Sequence, residues 1–139
     1  MRWSYRAVLV SFVSLAVAAC GDSTAIPAAA ATSSVRLLND SPGTITNVRL
    51  TVAPNIDIVE SSIAPGALSP EHLVSAVYEN PAVSLVANGK ELSAIPVEGF
   101  SGFNKLLGMG AFVISIGVDG TPPQLRITVT QLVEGRSKP

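Results

Sequence analysis

From Val35 to Thr130, apolar side chains return at every second position in short runs, and Pro, Gly, Asn or Asp ends each run. A period of two places one set of side chains on one face of an extended chain, so each run reads as a strand with one buried face. Val48, Leu50 and Val52 alternate with Asn47, Arg49 and Thr51. Phe112, Ile114, Ile116 and Val118 alternate with Val113, Ser115 and Gly117, and Leu125, Ile127 and Val129 follow in the same manner. A chain built from such pieces must stack its apolar faces against each other, because none can bury its face alone.

Local turn chemistry adds register. Asn88-Gly89 suits a two-residue type I′ turn, in which both central residues need positive φ. That turn sets Leu85 opposite Leu92, Val83 opposite Ala94 and Ser84 opposite Ser93, with the apolar pairs on one face. Val35 and Leu37 precede a turn at Asn39-Asp40-Ser41-Pro42-Gly43, and Ile56 to Ile63 forms a weaker strand ended by Pro65-Gly66. Asp119 to Pro123 joins the last two runs into a second hairpin, expected at the centre of the core.

Residues 69–78 allow two readings. Ser69-Pro70-Glu71 has the capping serine and first-turn proline of a helix, with Leu73, Val74, Val77 and Tyr78 on one face. The same residues form a strand showing Leu73, Ser75 and Val77 to one side, and the surrounding strands favour that choice. Seven or eight short strands then predict an all-β fold: an antiparallel β-sandwich of the immunoglobulin-like or transthyretin-like kind, with a small barrel as the alternative. The Cys and Trp hallmarks of immunoglobulin domains are absent, since the single Trp3 lies near the N-terminus and the single cysteine is Cys20.

The first 19 residues follow a different rule. Arg2 and Arg6 precede an apolar stretch from Ala7 to Val17, too short for the roughly 20 residues of a membrane-spanning helix. Small residues then lead into Val17-Ala18-Ala19-Cys20, which resembles the lipobox of bacterial lipoproteins at all four positions. The resemblance implies cleavage before Cys20, a thioether-linked diacylglyceryl group on its sulfur, and acylation of the new amino group. Ala16-Val17-Ala18 also fits an ordinary secretory cleavage site after Ala18, which would leave a free thiol. Gly21 stands where an aspartate would signal inner-membrane retention, so the expected address in a two-membrane host is the outer membrane, facing the periplasm. The expected layout is a signal segment over 1–19, a lipidated cysteine and tether over 20–33, a sandwich over 34–135 and a tail over 136–139.

Removing Arg2 and Arg6 leaves seven basic residues against ten acidic ones, a formal charge of −3. The charges are scattered, with none of the positive stripes that nucleic-acid binding requires. With Cys20 committed to lipid, no disulfide forms within the chain, and about 100 residues must hold together by one core.

Catalytic patterns are sparse. His72 is the only histidine, so a His-rich metal site is excluded, and its expected role is an exposed residue beside Glu71. Gly99-Phe100-Ser101-Gly102 lacks the spacing of a nucleophile elbow, and Gly108-Met109-Gly110 precedes a strand rather than a helix. Neither catalytic residues nor a cofactor is expected. The segment from Glu98 to Gly110 has four glycines, and Phe100, Phe103 and Lys105 are its candidate binding residues, the alternative being that both rings cap the core.

Val35 to Ser41, Ile63-Ala64-Pro65-Gly66, Asn88-Gly89-Lys90 and Gly110-Ala111-Phe112 together resemble small bacterial lipoproteins of unknown function that carry one immunoglobulin-like or transthyretin-like sandwich. The resemblance implies no catalytic residues. The expected function is a non-enzymatic binding or structural module of the cell envelope, held to the membrane by its N-terminal lipid. The alternative is an accessory subunit or inhibitor of an envelope protein, acting through a sheet edge or the glycine-rich loop; a hydrolase using His72 ranks last.

Overall fold

The computed structural model describes residues 32–96, 99, 102 and 104–132. The chain forms ten strands there: β1 Ser33–Asn39, β2 Ile45–Ala53, β3 Ile56–Ile63, β4 His72–Val74, β5 Val77–Tyr78, β6 Ala82–Ala87, β7 Lys90–Ala94, β8 Leu106–Leu107, β9 Ala111–Asp119 and β10 Gln124–Leu132. Eight of them make two four-stranded sheets, in the orders β10-β9-β1-β4 and β3-β2-β6-β7. The two-residue strands β5 and β8 form a separate pair at one end, which brings the total above the seven or eight expected.

The alternation in the sequence becomes the two faces of each sheet. Val35 and Leu37 of β1, Val48, Leu50 and Val52 of β2, and Phe112, Ile114, Ile116 and Val118 of β9 are buried between the sheets. Their sequence neighbours Arg36, Arg49 and Thr51 point outward. The hairpin at Asn88-Gly89 has the expected register, with Leu85 opposite Leu92 and Val83 opposite Ala94. Both turn residues have positive φ, 52° and 72°. An L-residue other than Asn or Gly resists that conformation, so the dipeptide itself sets this register.

The structure corrects four expectations. First, the sandwich is not wholly antiparallel: β1 runs parallel to β9, from Ser34↔Ala111 to Asn39↔Ile116. Both strands enter their sheet from the same end, and a parallel pair needs a long connection, here supplied by the intervening strands. Second, the β9–β10 hairpin is not the centre of the core. β9 is central, but β10 lies at the sheet rim with Leu125, Ile127 and Val129 only half-buried. Third, Leu73, Ser75 and Val77 do not share a face. The chain bends at Ser75, so Val74 and Val77 are buried while Leu73 faces solvent. Fourth, Ser33 is a buried residue of β1, so the sheet begins one position before the expected boundary at 34.

Ser69 shows why residues 69–78 are extended. β1 sits inside its sheet, so main-chain groups on both its edges need partners. Ser69 N donates to Leu37 O at 2.8 Å, and Ser69 Oγ accepts from Leu37 N at 2.9 Å. The serine that suits a helix cap thus completes the edge of β1 just before Pro70, which has no N–H to offer.

The first two strands lie in different sheets, whereas immunoglobulin domains keep them in one. With their apolar faces packed on one another, the two four-stranded sheets make the fold an all-β sandwich.

Candidate binding end of the sandwich

Strand register gathers an uncharged surface at the end where β1 begins. Ser34 of β1 pairs with Leu73 of β4 on one side and Ala111 of β9 on the other, and Ala111 pairs with Leu132 of β10. These four residues form one row across the whole outer face of the sheet. Each takes the outward position because Ser33, Val35, Val74 and Phe112 occupy the inward ones.

Met109 borders the row and is held in place. Ser33 Oγ lies 3.5 Å from its Sδ, and Gln131 Nε2 donates to its carbonyl at 3.2 Å. Gly110 allows this approach, since a Cβ there would stand 2.8 Å from Gln131 Nε2. The result is an open groove of about 570 Å³ lined by Thr32, the row and Met109, with Gly110 and Gln131 beneath.

The glycine-rich segment lies at the same end. Asn104 is buried and organises it: Oδ1 accepts from Asn80 N at 3.1 Å, and Nδ2 donates to Asn80 O at 2.8 Å and Gly99 O at 3.0 Å. Glu79 N then donates to Lys105 O at 2.9 Å, and Tyr78 pairs with Leu106. Of the candidate loop residues, Lys105 is placed with an exposed side chain beside this seam. Phe100 and Phe103 lie outside the described residues, as does Cys20.

His72 is not the free residue expected beside Glu71. Its Nε2 lies 2.6 Å from Oε1 of Glu60, and both side chains are largely buried. His72 belongs to the rim strand β4 of one sheet and Glu60 to the rim strand β3 of the other. The pair therefore bridges the two sheets at their open edge, and the ring nitrogen it uses is engaged. Nothing in local sequence spacing links positions 60 and 72.

A second polar cluster sits on the outer face of the other sheet. Thr51 Oγ1 donates to Asp57 Oδ1 at 2.6 Å, and the Arg49 guanidinium donates to Asp57 Oδ2, with Nε at 3.0 Å. The Thr51 hydrogen bond, then the Arg49 contacts, hold the Asp57 carboxyl below the usual carboxylate range, and partial desolvation opposes them. A depressed folded-state value means the unfolded chain binds the proton more readily. The stabilisation from this cluster is thus complete above the ordinary aspartate range and is lost as pH falls through the depressed value. Thr51→Val should raise the Asp57 titration midpoint, as followed by carboxyl-carbon NMR; an unmoved midpoint would show that Thr51 is not its main support.

Lys105, the candidate that the sequence offers, does not line this groove, and the sequence reading named neither the row nor Met109. One signal was present: Leu132 is a large apolar residue in the polar phase of β10, out of step with Leu125, Ile127 and Val129.

No family model matches this chain, and no curated protein does. One solved structure shares the fold: the NMR structure of a protein from Eubacterium rectale, at 16% identity and a TM-score of 0.54. The match covers 78% of this chain and 94% of that one. This likeness concerns the fold alone.

Proposed function

We propose that this chain is an exported lipoprotein, anchored through Cys20, whose sandwich serves as a non-enzymatic binding or structural module of the cell envelope. Val17-Ala18-Ala19-Cys20 behind a basic and then apolar leader carries the reading. Two or more acyl chains on one residue suffice for stable anchoring, at about 0.8 kcal/mol per buried methylene. The first sheet residue, Ser33, follows Cys20 by thirteen positions, which leaves the lipid free to reach a bilayer while the domain stays folded. In a host with two membranes, Gly21 directs it to the outer membrane, facing the periplasm.

Cys20→Ala should move the protein from the membrane pellet to the soluble fraction. Mass spectrometry of the wild-type N-terminus should find a diacylated or triacylated Cys20. A mature chain starting at unmodified Ala19 would overturn the reading.

One observation favours a second reading, an accessory subunit acting through a sheet edge. β10 forms the rim of its sheet along nine residues, with Arg126 its only charged side chain. Such an edge is a template for pairing with another strand. A stoichiometric protein recovered with the chain from membranes, and lost on placing proline at Thr128, would favour this reading.

A further inference from the structure

The sandwich has two unlike ends. At the far end of β1, Arg126 Nη2 lies 3.4 Å from Asp40 and 3.5 Å from Asp119, an exposed charged cluster. At the near end, where the chain enters at Thr32, the described residues that line the groove include no ionisable side chain, and the exposed Lys105 and Glu79 lie outside that lining. Among the described residues, seven large apolar side chains are exposed: Val59, Leu68, Leu73, Ile95, Leu106, Met109 and Leu132. The strand registers put Leu73 and Leu132 at the near end, and Met109 lines the same groove. Leu73 is 70% exposed, Met109 54% and Leu132 51%. These three share one groove, and exposed apolar side chains gathered in this way mark a surface that something covers.

We infer that this near-end groove rests on the bilayer in which the lipid of Cys20 is inserted. The inference deepens the proposed function and rests on its anchor. Thr32 lines the groove and stands twelve residues after Cys20. Even fully extended, that link spans at most about 43 Å, so this end is the part of the domain tied nearest to the membrane. Leu73, Met109 and Leu132 enter the interfacial layer, where their apolar surface leaves water. The neutral lining carries no charge to desolvate there, and the Asp40–Arg126–Asp119 cluster faces away into solvent. Contact strengthened by the tether needs little intrinsic affinity, because the link keeps the groove at high effective concentration near lipid.

The test holds the domain at a membrane without relying on native lipidation. A chain starting at residue 20 carries Cys20→Ser and an N-terminal histidine tag. It is bound to vesicles of phosphatidylethanolamine, phosphatidylglycerol and a nickel-chelating lipid. An environment-sensitive fluorophore is attached at Leu73→Cys, at Leu132→Cys, or at the control Val59→Cys on the opposite sheet. Labels at 73 and 132 should brighten several-fold and shift to the blue on vesicles, while the label at 59 stays unchanged. No response at 73 and 132, or an equal response at all three, would overturn the inference. So would a response that needs no vesicles and grows with protein concentration, since that marks a second copy of the chain. Failure of the anchor itself is read separately, from the mass of the native N-terminus.

Discussion

Phe112→Ala should lower the free energy of unfolding by about 3–5 kcal/mol, the range for deleting a buried aromatic ring. Phe112 is the largest fully buried side chain among the described residues. It lies on β9, paired with Val35 of β1 on one side and Gln131 of β10 on the other. Its ring belongs to the core cluster to which both sheets contribute, including residues of β1, β2 and β6. Alanine would leave a cavity that two sheets pinned by their own hydrogen bonds cannot close. A domain of this size has only about 5–15 kcal/mol of stability, so the variant stands near the folding threshold. Urea unfolding should show a much lower midpoint at an unchanged slope. A loss below about 1 kcal/mol would mean the ring is not the keystone its burial implies.

The second large effect is expected at a polar residue. Asn39 is fully buried at the far end of β1. Its Nδ2 donates to Gly43 O and to Ile63 O, both at 2.9 Å, and its Oδ1 accepts from Ser41 N at 2.9 Å. One side chain thus ties the turn after β1 to the end of β3. The turn in turn supports β9, because Ser41 Oγ accepts from Val118 N at 3.0 Å. Asn39→Leu keeps nearly the same volume and removes the side-chain partner of three main-chain groups. A buried unpaired group costs about 1–3 kcal/mol, and some regain water, so a loss of about 2–4 kcal/mol is expected. Amide exchange at Ser41 and Val118 should accelerate more than at Leu85 in the distant hairpin. Uniform acceleration would show global loosening rather than a local tie.

These residues differ in how far the sequence discloses them. Phe112 belongs to an alternating run, and its burial follows from that run. Asn39 reads only as the start of a turn, which it is, since Ser41 N bonds to its side chain. Its bond to Ile63, twenty-four positions later, has no local signature. Ser69 shows the converse failure. Its spacing to Pro70 suits a helix, and the unsatisfied edge of β1 claims it instead. Leu73 was legible as apolar but not as outward, because a bend at Ser75 reverses the phase between β4 and β5.

The candidate binding end was legible only in part. Glycine content marks residues 98–110, and Lys105 and Leu106 of that segment lie at this end of the domain, outside the groove. Asn104, which ties this segment to Asn80, stood unremarked among the glycines. The row from Leu73 to Leu132 takes one residue from each of four strands spread over a hundred positions, so no window of sequence contains it.

By itself the sequence determined where the long strands lie, which face of most of them is apolar, and the register of the Asn88-Gly89 hairpin. These are properties of neighbours along the chain: side-chain period, proline and glycine geometry, and positive φ. Tertiary structure alone decided that β1 runs parallel to β9, that β10 forms a rim, that His72 meets Glu60 across the sheets, and that an uncharged groove opens beside Thr32. The reason is that main-chain hydrogen bonds are nearly blind to residue identity. Which strand edges meet is settled by burying all the apolar faces at once, and only that global solution brings distant residues together.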